Sequence, residues 1–466
     1  MSPREVFALR DHLGPVAGRA ISDPRHVVAL STLATQGALA TQSCLGGRGL
    51  ELAGRSVLLA TSGQLLAGLA MIEIDGVAQR MLLCPPDLKP DHLASVLVDA
   101  GIDAVVTDQP ERFAAIDIDL IVPVGLPRPV EVRAQTSRVT EWLMLTSGTS
   151  GIPKIVGHTL EGLCGAIIDD SPAPGAAIPV WATFYDIRRY GGLQIFLRAI
   201  VGGGTMVLSD SDEPLADHIA RLKLHGVTHM SGTPSHWRKL LMSGAATGFA
   251  PRYVRLSGEI ADQAVLDGLK QAFPAASIGH AYASTEAGVG FVVNDGREGF
   301  PAGLIGQGGG VDMQVVDGSL RIRSKRAAHS YVGHNVAALT DADGFVDTGD
   351  MVELRGDRYY FVGRRNGIIN VGGLKVHPEE IEAVINGHPE VRMSRAKSRR
   401  SPITGGIVVA DVVLAEGSLA GHSDAIRNEI IAECRSKLAT HKVPAMIRFV
   451  AVLDVTPAGK LARADA

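Results

Sequence analysis

A chain of 466 residues exceeds what one hydrophobic core usually organises, so two or more domains are expected. Hydrophobic residues at 46% and charged residues at 20% describe an ordinary soluble globular protein, and a net charge of −4 with 5% aromatics speaks against a general nucleic-acid binder or a base-stacking platform. The longest apolar candidate, around 57–72, is broken by Thr61, Ser62, Gln64 and glycines, so no membrane span is expected. The first residues lack an apolar leader region, and Cys44, Cys84, Cys164 and Cys434 lack metal-ligand or CxxC spacing, which points to buried free thiols in a cytoplasmic, reducing setting.

Residues 56–60 read as a buried strand that Thr61-Ser62-Gly63 turns into a helix over 63–75, with Leu65, Leu66, Leu69 and Ile72 on one face. A second unit follows: strand 81–84, a Pro85-Pro86-Asp87 turn, a helix around 91–100 and strand 104–107, then another apolar run at 120–124. Strands alternating with helices at this spacing imply a parallel, doubly wound sheet. Nothing before residue 140 offers catalytic chemistry, and this part reads as scaffold.

Next comes the apolar strand 142–145, which breaks into Thr146-Ser147-Gly148-Thr149-Ser150-Gly151-Ile152-Pro153-Lys154. Glycines let a backbone approach a ligand closely, hydroxyls and exposed N–H groups donate to anionic oxygens, and the lysine adds a point charge. The loop therefore suits phosphate. It is not a Walker A loop, because Ile152 and Pro153 separate Gly151 from Lys154.

Beyond it, Tyr185, Asp186, Arg188, Arg189 and Tyr190 precede an apolar run at 193–201; they read either as a solvated turn or as part of a substrate pocket. Residues 204–208 form another strand, 225–235 a strand and turn before a helix carrying Trp237, Leu240 and Leu241, and 254–259 a strand ending in a small-residue turn. Within 279–288, Tyr282 can give a purine an apolar plane, Thr285 can reach a phosphate oxygen, and Glu286 can meet a metal ion or its water shell. The glycines of 303–310 suggest a dinucleotide fingerprint only superficially, since no acidic residue follows at the right place and no helix opens; antiparallel strands at 313–316 and 319–323 with an Asp317-Gly318 turn fit better. Asp350 closes a Thr-Gly-Asp turn; it is either an Asx-turn residue or an acceptor for two ribose hydroxyls.

The end of the chain reads as strand and linker over 359–367, strand 368–371, the turn Gly372-Gly373, a helix over 377–385, strand 406–414 and helix 424–438. Pro378, Glu379 and Glu380 suit the first turn of that helix, and His377 lacks a second metal ligand one turn away. Lys460 sits near the end, between Pro457-Ala458-Gly459 and Arg463.

The 142–154 loop, the 279–288 segment and the 454–463 tail, in that order, resemble the adenylate-forming superfamily of acyl-CoA synthetases, nonribosomal peptide synthetase adenylation domains and firefly luciferase. The resemblance implies a large N-terminal domain over 1–364, built of doubly wound parallel sheets and a small β-barrel-like part. A small, mobile α+β C-terminal domain would follow over 365–466. It implies ATP contacts from Thr146, Ser147, Gly148, Thr149, Ser150, Lys154, Gly258, Glu259, His280, Tyr282, Ala283, Ser284, Asp350 and Arg364, with Glu286 on Mg2+. It places Lys460, Thr285 and Glu286 in catalysis, Tyr185, Asp186, Tyr190, Ser231 and Gly232 at the substrate pocket, Asn366 at the hinge, and Gly372 and Gly373 beside a thiol tunnel. Ala283 stands where the family usually has Gly, and Asn366 where Asp or Lys is commoner. The implied activity joins a carboxylic acid to AMP and passes it to a thiol, coenzyme A first, a phosphopantetheinylated carrier protein second. A nucleotide-binding regulator without turnover is the third reading.

Overall fold

The computed structural model describes residues 8–13, 18–33, 41–131, 138–146, 153–167, 177–210, 212–334, 336–371, 374–401, 405–415, 423–456 and 460–461. Among these, a seven-stranded sheet runs in the order Ser330–Val332, Lys154–Thr159, Glu141–Thr146, Arg80–Leu83, Ser56–Ala60, Ala104–Thr107, Leu120–Pro123. The last five are mutually parallel, as the alternation of strands and helices predicts. Lys154–Thr159 departs from that expectation: it pairs antiparallel with Glu141–Thr146. The reason is length, because a parallel return needs a crossover of a dozen or more residues and the short loop after Thr146 allows only a hairpin.

An eight-stranded sheet packs behind it, ordered Gly288–Val293, Ser277–Ser284, Tyr253–Ser257, His229–Gly232, Val180–Thr183, Thr205–Val207, Ala20–Ser22, Val27–Ala29. Its interior is parallel and both of its outer pairs are antiparallel. Helices Gln64–Ile74 and Tyr190–Val201 lie in one core with strands of both sheets; Leu65, Leu69 and Met71 share it with Leu193, Phe196 and Leu197. Helix Gln64–Ile74 is therefore buried nearly all round, where the sequence suggested a single apolar face. A Cβ at Gly68 would lie 2.9 Å from the Phe196 ring, so this glycine sets how closely the two helices approach.

A third, five-stranded antiparallel sheet (Phe300–Pro301, Arg358–Arg364, Val346–Arg355, Ser319–Ser324, Val311–Val316) forms the barrel-like part. The expected Asp317-Gly318 turn joins two of its strands with positive φ at both residues, 52° and 76°. This sheet ends at Arg364, the turn Arg365–Gly367 follows, and the remaining elements gather round a separate core that includes Ile381, Ile385, Val412, Ile430 and Cys434. Its strand Val391–Ser401 escaped the sequence reading because Arg392, Arg395, Lys397, Arg399 and Arg400 mask any apolar pattern. Buried Asp411 gathers two of those cations, Arg395 at 3.2 Å and Lys397 at 2.6 Å, and Arg448 at 2.6 Å. All four cysteines are buried and free, and no helix among the described residues is long and apolar enough to cross a membrane.

Candidate active site

The hairpin places Thr146 and Lys154 directly across from each other, so both ends of the hydroxyl-rich loop meet at the same end of two neighbouring strands. Ser147, Gly148, Thr149 and Ser150 lie outside the described residues. The Lys154 ammonium sits 5.0 Å over the ring of Tyr331, whose strand pairs with that of Lys154. Burial raises the Tyr331 pKa and the charge of Glu286 adds to it. Nothing in the sequence singles out Tyr331, because it is brought here by a third strand far along the chain.

Tyr282 ends the regular part of strand Ser277–Ser284: the pairing register shifts between Tyr282 and Ala283, a bulge of the kind that re-aims side chains beside active sites. Its ring lies nearly parallel to Phe361 (5.2 Å, 12°) and Phe291 (5.7 Å, 19°). Its hydroxyl donates to Asp350 Oδ2 at 2.6 Å, while Arg364 Nε donates to Asp350 Oδ1 at 3.0 Å. Burial and then the charge of Asp350 push the Tyr282 phenol well above its usual pKa, which keeps it a donor. The Asp350 charge likewise raises the Arg364 pKa. The Asx-turn alternative falls to a neighbour: Asp347 Oδ1 accepts the Gly349 N–H at 3.1 Å, leaving the Asp350 carboxylate to Tyr282 and Arg364.

His158, also absent from the sequence reading, fixes the next turn. Its Nε2 is 2.8 Å from the Thr285 carbonyl, and its ring lies 5.7 Å from that of Tyr190. Burial lowers its pKa to about 4, so the imidazole is neutral near pH 7 and its Nε2–H donates to the carbonyl. Ser284 Oγ accepts the Ala287 N–H at 2.9 Å and so shapes the same turn. His280, by contrast, places its ring nitrogen 3.0 Å from the Arg297 carbonyl, which engages it in a turn after the neighbouring strand.

Gly258 has φ +84°, and a Cβ there would lie 3.4 Å from Lys460 Cε. Glu259 Oε2 accepts the Ser235 N–H at 2.9 Å and its Oε1 accepts the Leu461 N–H at 3.0 Å. The terminal lysine therefore lies beside the turn after strand Tyr253–Ser257. Lys460 is exposed to solvent. The protein around it lowers its pKa by desolvation, Arg364 adds to that, and the charges of Glu259, Asp350 and Glu286 oppose it. Asn366 sits in the short turn between the third sheet and the last unit, whereas Gly372 and Gly373 lie outside the described residues.

Tyr190, Gln194, Arg198, Arg255, Ser257 and Ala283 line a cleft next to Tyr282 in the chain. Tyr185 closes on it by donating to the Ser257 carbonyl at 2.7 Å. Asp186 is not on this wall. Its carboxylate clamps Arg188, Nε to Oδ1 at 2.8 Å and Nη2 to Oδ2 at 2.6 Å, and Arg188 reaches on to the Thr61 carbonyl. Ser231 and Gly232 do not line it either: the Ser231 carbonyl accepts from Phe184 N and Thr183 Oγ1, and a Cβ at Gly232 would lie 2.7 Å from the Phe184 ring.

Lys154, Arg364 and Lys460 come from three distant stretches, with Glu286 and Asp350 acting on Lys460, a distribution of charge that would suit the polyphosphate and sugar of a nucleotide-using enzyme with a separate terminal unit. The chain belongs to the AMP-binding enzyme family: that family's sequence pattern matches residues 64–326, and the AMP-binding enzyme C-terminal domain matches 380–460. It is 26% identical over 400 residues to a 2-succinylbenzoate–CoA ligase of Listeria innocua, covering 82% of this chain and 79% of that protein. It is 25% identical over 407 residues to a feruloyl-CoA synthase of an Amycolatopsis species, covering 81% and 77%. Its fold is similar to that of the anthranilate CoA ligase AuaEII in complex with anthranoyl-AMP, at a TM-score of 0.79 and 18% identity over 98% of this chain and 96% of that one.

Proposed function

We propose that this enzyme activates a carboxylic acid with ATP and passes the acyl group to the thiol of coenzyme A. A carboxylate oxygen attacks the α-phosphorus and pyrophosphate departs. The thiolate then attacks the acyl carbon, and AMP leaves with the oxygen that the acid supplied. No protein nucleophile is required; alignment and charge stabilisation carry the first step. Asp350, held from two sides, would take the ribose hydroxyls, and the rings around Tyr282 would wall the base; the fixed geometry of both groups supports this reading. Lys154 and the loop before it would hold the outer phosphates. Magnesium fits as an ion arriving with ATP: Glu286 offers one carboxylate near Tyr331 and Lys460, and the ion would screen phosphate charge there.

The observation that carries this reading is the place of Lys460, next to the turn of Gly258 and in the field of Asp350 and Glu286. A positive charge carried there by the terminal unit suits the charge that grows on the α-phosphate, and withdrawing it would open the site for the thiol. The aryl-acid ligases among its relatives favour an aromatic or similarly compact acid in the cleft beside Tyr190. Purified protein should release pyrophosphate with ATP and magnesium over an acid panel and form a thioester with free coenzyme A. Thioester formed only on a phosphopantetheinylated carrier would move the acceptor to the carrier; AMP formation with no acid in the panel would remove the ligase reading.

A further inference from the structure

Glu259 lies on the turn after strand Tyr253–Ser257, and its two carboxylate oxygens serve two separate parts of the chain. Oε2 accepts the Ser235 N–H at 2.9 Å, in the first turn of helix Pro234–Met242. That amide has no partner within its own helix, and the helix end favours a negative charge. Oε1 accepts the Leu461 N–H at 3.0 Å, across 202 residues of sequence. The neighbour of Leu461 is Lys460. A small turn holds them together: Val455 bridges Leu461, Thr456 N–H donates to the Lys460 carbonyl at 2.6 Å, and Lys460 N–H donates to Thr456 Oγ1 at 3.2 Å. Gly258 completes the seat, since a side chain at its φ of +84° would be strained and its Cβ would touch Lys460 Cε.

We propose that Glu259 is a positioning residue: it latches the terminal turn onto the large domain and so holds Lys460 in the cleft for adenylation alone. The proposal rests on the two-step reaction above and assigns Glu259 a role other than contact with the adenine. The contact is to a backbone N–H, so it does not depend on which side chain occupies position 461. One hydrogen bond to a charged acceptor is strong enough to seat a short turn and weak enough to release it each cycle. The anchor on the large domain is stiff, because the same carboxylate is pinned to a helix end. When the terminal unit swings away, Oε1 loses Leu461 while Oε2 keeps Ser235, so the latch stays set for the next closure.

Two measurements on the full-length protein test this. The first follows both half-reactions in Glu259→Ala and Glu259→Gln. Acid-dependent pyrophosphate exchange should fall about ten- to hundredfold in the alanine variant, the scale of one lost charge-assisted hydrogen bond. It should fall by a similar factor in the glutamine variant, whose single amide oxygen stays on the Ser235 N–H and whose NH2 cannot accept the Leu461 N–H. The ATP KM should stay within about twofold, and thioester formation from a synthetic acyl-adenylate should change far less than exchange. The second follows backbone hydrogen exchange of the 455–461 segment without substrates: it should be slow in the wild type and faster in both variants, with the helix 234–242 amides unchanged in Glu259→Gln. A raised ATP KM with unchanged exchange at 455–461 would make Glu259 a nucleotide contact. An equal loss in both half-reactions would make it a plain structural support. Either overturns the proposal. If the wild type activates no acid at all, the enzymatic reading fails, while amide exchange at 455–461 still decides whether Glu259 holds the tail.

Discussion

Asp350 is gripped from two sides, by Tyr282 at 2.6 Å and Arg364 at 3.0 Å, and Tyr282 is itself fixed in a group of parallel rings with Phe291 and Phe361. Among the described residues, no hydrogen bond or ion pair of the Lys460 ammonium compares with that grip. Its backbone neighbour Leu461 is tied to the large domain by the Glu259 contact, one hydrogen bond among the described residues. One part is held by several contacts and the other by few among the described residues. On the proposed function, the difference suggests how a single cleft could serve two steps: the groups assigned to the nucleotide would stay, and the group needed only while charge builds on phosphorus would sit on the part that leaves.

The comparison breaks most visibly at the lightly held side. Lys460→Ala should cut acid-dependent pyrophosphate exchange by roughly 10²–10³, the scale for losing one transition-state donor, while a synthetic acyl-adenylate is converted to thioester at a much less reduced rate. Equal loss in both steps would place Lys460 among the fixed groups. At the gripped side, Tyr282→Phe removes the phenol donor to Asp350 but keeps the ring stack. Losing one hydrogen bond should weaken ATP binding by about five- to tenfold, read as KM in exchange. The smallest effect concerns pH. Desolvation by the surrounding protein and then Arg364 hold the Lys460 pKa below its free value of 10.5, against the pull of Glu259, Asp350 and Glu286. The protonated amine is the useful form, so exchange should decline as pH rises through that lowered pKa. Thioester formation from added adenylate should lack this decline once the thiol's own ionisation is accounted for, and identical alkaline limbs would contradict the separation of roles.

Much of this was legible in the chain. The parallel strands before residue 124, the Asp317-Gly318 turn and the helix capped at His377 follow local patterns of apolar spacing and turn chemistry. The residues that the structure brings together at the cleft, Tyr282, Asp350, Arg364 and Lys460, were readable because each sits in a short segment that resembles a family motif. What stayed hidden depends on distant pairing. Tyr331 reaches Lys154 only because its strand joins the hairpin after the loop, and His158 reaches Thr285 across 127 residues. Asp186 misled in the opposite way: a carboxylate among aromatics looked available to a substrate, yet Arg188 two residues on takes both oxygens. The long strand Val391–Ser401 was lost because its five cations mask an apolar pattern, although two of them, Arg395 and Lys397, pair with a buried aspartate on the next strand.

The most direct test of the chemistry follows an oxygen atom. An accepted acid labelled with heavy oxygen in its carboxylate should leave one labelled atom in the AMP formed during a full turnover, with pyrophosphate unlabelled. Unlabelled AMP, or label appearing in inorganic phosphate beside ADP, would contradict attack of the acid on the α-phosphorus at this cleft.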